Sequence, residues 1–399
     1  MRPVSRIEHA DVVIVGGAIM GSSVATFLAR RDDWHGRVVV VERDPTYRTS
    51  STTLSAASIR LQFSTELNIE ISRFGISLIK HLDEWLGVDG DPLLTIDFVE
   101  GGYLFLASEA GRAILDHNHA VQRAHGASVV LLTPEELQAR FPWMHAEDLA
   151  GGSLGLADEG WFDAHALLQA FRRKARSLGV EYVAGEVAAI ELQGGRAAGV
   201  RLADGRALGC DWLVDAAGPR AADVAAMAGI ELPVRPRKRY VYHFDCRTPV
   251  AGAPLTIDVN GVYFRPEGPA FIAGYSPREG EPDPDTLDLE LDRRPFEEVI
   301  WPTLAHRVPA FEAIRLLDAW AGHYEVNTLD HNAILGPHPE IENLLFANGF
   351  SGHGLQQAPA VGRGLAEWIA TGRYQTLDLS PLGFGRIARN EPVRELNVV

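Results

Sequence analysis

Cysteine, basic residues and long apolar runs are what this 399-residue chain has least of. Its two cysteines, Cys210 and Cys246, lie far from any second thiol, which excludes a C-x-x-C metal or redox motif. They read as reduced structural thiols, and with them a cytoplasmic setting is expected. The first apolar run starts after Asp11 and breaks at Gly16, too short for a signal h-region or a membrane span. Lys and Arg number 37 against 53 Asp and Glu, a net charge of -16, so no basic stripe is left for a nucleic-acid surface. The one dense basic run, Arg235-Pro236-Arg237-Lys238-Arg239, is expected on a solvated strand edge or in ion pairs at a domain interface, with a patch for a membrane or an anionic partner as the alternative. Repeats, low-complexity tracts and clear linkers are also missing. With 46% hydrophobic residues the chain can bury a sizeable core, and without a linker its domains are expected to interleave.

What is present begins at Ala10. The run Asp11-Val12-Val13-Ile14-Val15 leads into Gly16-x-Ala18-x-x-Gly21, a helix is expected from Ser22 to Arg30, and Val38-Val39-Val40-Val41 ends in Glu42. Strand, glycine turn, helix, second strand and terminal acid, in that order, read as the first βαβ unit of a dinucleotide-binding domain. Free N–H groups at the helix start suit a pyrophosphate. A carboxylate at Glu42 accepts from two ribose hydroxyls and repels a 2′-phosphate, which favours FAD or NAD over NADP. Alanine at position 18 departs from the fingerprint, and an ordinary βα turn is the competing reading.

Further along, Glu66 to Trp85 repeats Leu67, Ile71, Phe74, Leu78 and Leu82 at helical spacing, and Gly101 to Leu106 looks like a strand followed by a helix from Ala110 to His125. Thr133-Pro134-Glu135-Glu136 supplies an N-cap, an N1 proline and first-turn acids. A helix is expected from Asp163 to Leu178, then a strand at Glu181 to Val183, a hairpin over Val187 to Glu191 and Gly199 to Leu202, and an apolar strand from Cys210 that closes on Asp215-Ala216-Ala217-Gly218. Aromatic and β-branched runs between Val234 and Trp320 predict a mostly antiparallel sheet. A last glycine turn, Asn348-Gly349-Phe350-Ser351-Gly352-His353-Gly354-Leu355, precedes a helix expected over Ala358 to Ala370.

Together with Leu132 to Leu137, Phe141-Pro142 and Asp215 to Pro219, these stretches resemble the FAD-dependent oxidoreductases of the D-amino-acid oxidase superfamily, which contains sarcosine oxidase, glycine oxidase and dimethylglycine dehydrogenase. Within it the chain is most similar to the branch of the mitochondrial flavoprotein linked to complex I assembly and its bacterial relatives, on Ile59 to Ser64, Gly349 to Pro359, Tyr374 to Thr376 and Asp378 to Pro381. The resemblance implies an α/β fold in which a Rossmann-type FAD-binding domain (6–86, 150–225 and 321–399) interleaves with a mostly antiparallel-sheet substrate domain (87–149 and 226–320). It places FAD on Gly16, Gly17, Ala18, Ile19, Met20 and Gly21, on Glu42 and Arg43, and on Ser51, Ser55, Ala56 and Ala57 of the polar loop. It adds Val187, Ala216, Ala217 and Gly218, then Gly349, Ser351, Gly352, His353, Gly354, Leu355 and Gln356. Positions that carry covalent flavin in relatives correspond to Ser55 and a site near Gly322, so non-covalent FAD is implied. With one fingerprint only, no separate NAD site is implied.

The resemblance also implies oxidation of the C–N bond of a small secondary or N-methyl amino acid to an imine, by hydride transfer to flavin N5. Arg60 and Arg265 are the expected carboxylate anchors, and Tyr263, Tyr324, His353 and Gln356 shape the pocket. A lysine implicated in oxygen activation is replaced in Phe271-Ile272-Ala273, which tilts the acceptor from oxygen toward an electron carrier. Oxidation of a 2-hydroxy acid, and a flavin-containing assembly or binding protein, are the alternatives.

Overall fold

In a computed structural model, residues 8–92, 95–278 and 280–396 are described. The first strand, β1 (Glu8–Val15), pairs in parallel with Ala207–Asp215 on one side and with β2 (Val38–Glu42) on the other. Beyond these lie Glu181–Ala184 at one end and Leu344–Asn348 at the other, with Ile334–Pro337 antiparallel on the far edge. A hairpin of Val187–Gln193 and Arg196–Leu202 extends the base of Ala207–Asp215. Strands covered on both faces carry uninterrupted apolar runs. Here Val12, Ile14, Val38 and Val40 pack on the helical side, while Val13, Val15, Val39 and Val41 join a second core on the other face.

Among the helices on the helical face, two start at the strand ends where the site lies. The helix α1 (Ile19–Ala29) buries every residue except Ala29, which fits its lack of a polar stripe. The late helix Gly354–Thr371 lies across it so closely that a Cβ on Gly362 would stand 2.2 Å from Ser23 Oγ, and that hydroxyl donates to Ala358 O at 2.7 Å. The expected helix over 66–85 breaks at His81 into Glu66–Lys80 and Leu82–Leu86. The N-cap at Thr133 forms as read, with Glu136 N donating to Thr133 Oγ1 at 3.2 Å, and the Glu136 side chain completes a capping box by accepting from Thr133 N at 2.8 Å.

A second sheet runs in the order Ile314–Asn327, Val234–Cys246, Ala270–Gly274, Tyr263–Glu267, Leu255–Ile257, Tyr103–Ala107, Gly151–Gly155, Val129–Leu132. It is antiparallel except where Leu255–Ile257 meets Tyr103–Ala107. An aromatic core of Tyr242, Phe244, Phe264, Phe271, Phe296 and Phe311 backs it. Two expected boundaries move. Gly151–Gly155 belongs to this second sheet, not to the nucleotide segment starting at 150, because it pairs with strands on both sides. Likewise Ile314–Asn327 stays in this sheet past 321, its ladder with Val234–Cys246 running to Asn327. Among the described residues no helix is long and apolar enough to cross a membrane.

Candidate cofactor and active site

A cavity of about 370 Å³, within the range of cofactor sites, opens at the C-terminal ends of β1 and β2 and runs beneath the second sheet. Of the expected cofactor residues it is lined by Gly16, Ala18, Ile19, Met20, Glu42, Arg43, Ser51, Ser55, Ala56, Val187, Ala216, Ala217, Gly218, Gly352, Gly354 and Leu355. These come from stretches hundreds of residues apart, and parallel pairing of β1 with both neighbours is what gathers their ends.

The remaining expected cofactor positions stand behind the wall. Gly17 donates its N–H to Glu42 Oε2 at 2.8 Å, and Gly21 lies where a Cβ would be 1.9 Å from Gly16 O, so it sets the helix against the turn. Ala57 and Gly349 shape their loops with positive φ. Ser351 takes the N–H of Asn327 on its hydroxyl at 3.0 Å, which ties the late turn to the second sheet. His353, 3% exposed, and Gln356 also face away from the cavity.

The two expected anchors are placed elsewhere. Arg60 is buried and stacks over Phe63, Tyr103 and Phe105, with Nη2 3.0 Å from His353 Nε2, while its backbone N–H donates to Gln356 Oε1 at 2.9 Å. Burial and the adjacent Arg60 charge hold His353 well below the usual imidazole range, so Nε2 accepts from the guanidinium. Arg60, His353 and Gln356 therefore form a brace that locks the end of the short strand Ser58–Ile59 to the late helix. Arg265 is committed too: Nε and Nη2 donate to Ala56 O at 3.1 and 2.7 Å, and Nη1 to Pro266 O and Glu267. It pins the polar loop under the second sheet and does not reach the cavity.

Tyr263 and Tyr324 do line the cavity, from strands of the second sheet with Val234–Cys246 and Ala270–Gly274 between them. The Tyr324 ring rests where a Cβ on Gly352 would be, 2.5 Å from Cε2, so the glycine is what lets the late turn come under the ring. Burial pushes both phenols above their ordinary range.

Sequence reasoning missed several residues. Arg239 lines the cavity, with its guanidinium 5.3 Å from the centre of the Tyr324 ring. Glu325 borders the cavity with a buried Oε2, and burial pushes its carboxyl up to about 8. Glu159 is fully enclosed, accepts from Leu61 N at 2.7 Å and Gln62 Nε2 at 2.8 Å, and is pushed up to about 7, mainly by burial. A signal for Arg239 existed: strand side chains alternate, and with Tyr242 and Phe244 in the aromatic core, Arg239 and Val241 fall on the opposite face. The basic run is not a solvated edge. It pairs with Ile314–Asn327 on one side, and Asp283, Asp285 and Asp288 lie along its other side.

The cavity fits an FAD. Gly16, at φ +97°, sits where a Cβ would be 2.3 Å from Ala216 O, so only a glycine allows this close cradle. Ser51 Oγ is buried at the wall with no partner among the described residues, a donor aimed at something a ligand supplies. Neither α1 nor the late helix has a side-chain cap or a first-turn acid, and both begin at the cavity, so two partially positive termini face it. Glu42 would take the ribose, the α1 terminus the pyrophosphate, and the late turn the electron-rich edge of the ring.

The family profile described as FAD dependent oxidoreductase matches residues 11–368. This chain belongs to that family. It is 45% identical to the FAD-dependent oxidoreductase domain-containing protein 1 of Xenopus laevis, over 98% of this chain and 85% of the relative. More distantly, it is 27% identical to a 4-methylaminobutanoate oxidase (formaldehyde-forming) of Paenarthrobacter nicotinovorans, over 91% of this chain and 44% of that longer protein. Among solved structures, an L-proline dehydrogenase from P. horikoshii superposes with a TM-score of 0.85 at 26% identity, covering 97% of this chain and all of that one. As a flavoprotein of this family the chain is an FAD-dependent oxidoreductase, with FAD as its cofactor.

Proposed function

We propose that this flavoenzyme oxidises the C–N bond of a small secondary or N-methyl amino acid to an imine, which water then hydrolyses, with FAD held non-covalently. The observation that carries this reading is the make-up of the cavity beneath the second sheet: buried phenols at Tyr263 and Tyr324, a guanidinium at Arg239, and a Glu325 carboxyl that burial pushes up to about 8. Hydride abstraction beside an amine nitrogen needs positioning and exclusion of water more than a strong base. Bound FAD supplies the hydride acceptor. The chain's own part is to close the cavity with the two aromatic rings and to orient the substrate by hydrogen bonds from the phenols.

Two of the relatives support this chemistry, since a methylaminobutanoate oxidase and a proline dehydrogenase both act, by name, on secondary amines. Ser55, whose hydroxyl is committed to Thr52 O at 2.8 Å, and Gly322 offer no histidine or cysteine for a flavin bond. Both cysteines are free thiols, in keeping with a reducing compartment such as the cytoplasm. Either oxygen or an electron carrier can reoxidise the flavin.

Anaerobic addition of N-methyl amino acids, imino acids and 2-hydroxy acids to the purified holoprotein tests the reading. Rapid bleaching of the flavin by a secondary amine is expected. Bleaching by hydroxy acids alone would replace it with C–O chemistry.

A further inference from the structure

Arg60 and Arg265 are both spent on structural bonds; of the arginines that line the cavity, Arg43, Arg220 and Arg239, it is Arg239 that faces Tyr324, 5.3 Å from its ring centre. Its charge is not free in this structure. Asp283 binds it in a fork, at 2.8 Å to Nη1 and 2.9 Å to Nη2, and Nη1 also donates to Lys238 O at 2.8 Å. Nε is buried and has no partner among the described residues, although a buried guanidinium N–H without one is costly.

Asp283 comes from a segment, residues 281–292, that lies along Val234–Cys246 as a strap. Thr286 N donates to Pro236 O at 3.1 Å, Arg237 bridges to Asp285, and Lys238 Nζ meets Asp288 at 2.5 Å. Leu287 and Leu289 of the same segment line the cavity. The strap thus brings a carboxylate onto a guanidinium inside a cavity built for a small molecule.

We propose that Arg239 is the anchor for the substrate's carboxylate, and that Asp283 is its resting partner, displaced when substrate binds. This rests on the amino-acid reading given above. Two carboxylates close to one guanidinium repel each other, so the incoming group takes Asp283's place on the fork. Asp283 has somewhere to go: Arg237, on the same face of the strand two residues earlier, is already 3.9 Å from its Oδ2. Arg239 stays paired in both states, and the cavity never holds a bare cation.

The test uses an unreactive pair of probes, pyrrole-2-carboxylate and its neutral carboxamide, titrated against the holoprotein while the visible absorbance of bound FAD is followed. The carboxylate is expected to bind more tightly than the carboxamide. Arg239→Gln weakens the carboxylate by about tenfold or more, as expected for a charge-assisted fork, and leaves the carboxamide unchanged. Asp283→Asn, on the strap and outside the core, tightens the carboxylate severalfold, and it carries the test if Arg239→Gln loses FAD. A carboxylate affinity indifferent to either substitution overturns the proposal, as does equal binding of the two probes by the natural protein. The amine panel separates the two readings. Flavin reduction by an amine at a KM untouched by Arg239→Gln keeps the amine chemistry and removes the anchor; Arg239-dependent carboxylate binding with no reducing amine keeps the anchor and removes the amine.

Discussion

At the scale of the residue, burial decides what each charged group can do. Arg60 was the natural candidate for substrate, yet three aromatic rings and His353 surround it. Arg60→Ala is therefore expected to cost about 3 kcal/mol or more in stability, because it empties a packed stack and removes the cation nearest the buried Glu159. Urea denaturation checks this, and an unchanged midpoint with a raised KM would return Arg60 to the substrate. Glu325 gives a pH test. Its folded pKa of about 8 lies above the carboxyl value in an unfolded chain, so the native state holds the proton more tightly. The stability this contributes is whole below about pH 4.5 and is lost as pH rises through about 8. Glu325→Gln keeps the shape without the charge, and its stability is expected to fall less between pH 6 and 9 than that of the natural protein, by on the order of a few kcal/mol. Parallel pH profiles in denaturation would show that the carboxyl ionises without penalty.

At the scale of the element, two helices that start at the cavity are held in place by each other. The contact depends on Gly362, which leaves no room for a side chain over Ser23. Gly362→Val is expected to push α1 away from the late helix, costing roughly 1–3 kcal/mol and weakening FAD retention, since both helix termini move together. Thermal denaturation and the flavin-to-protein ratio after gel filtration read the two effects; a lower Tm with full flavin would show that the termini are set by the strands instead. This pair was partly legible in the sequence. Apolar runs such as Val38 to Val41 announce strands covered on both faces, and Thr133-Pro134-Glu135-Glu136 announces a helix start, because these signals are local. The late helix begins at Gly354, before the expected Ala358, since Pro359 is tolerated inside it. The choice among arginines was only partly legible: alternation puts Arg239 on the face opposite Tyr242 and Phe244, but Arg60, Arg239 and Arg265 each sit on or beside a strand. Which one meets the cavity is fixed by pairings such as Val234–Cys246 with Ile314–Asn327, which no local pattern states.

At the scale of the whole molecule, the second sheet is held both to the loop 43–57 and to the late turn. Trp320 Nε1 donates to Leu54 O at 3.0 Å and Arg265 holds Ala56 O, both on the loop, which is also a wall of the cavity. Asn327 N donates to Ser351 Oγ at 3.0 Å and a bridge joins Val326 to Phe350, both on the late turn. A ligand in the cavity would touch the first sheet, that loop and the second sheet at once, so bound FAD is expected to add a connection between the halves. Removing it is expected to lower stability by about 2.7 kcal/mol relative to protein with free FAD at 100 times Kd, a fall in Tm of roughly 3 °C for a chain of this length. Limited proteolysis of the apoprotein is expected to cut first within 43–57, because that loop loses a wall while its anchors on the second sheet remain. Adding FAD back should restore both the Tm and the resistance. A Tm independent of FAD would mean that the halves hold each other through the protein's own bonds, and that the cavity is prepared before the cofactor arrives.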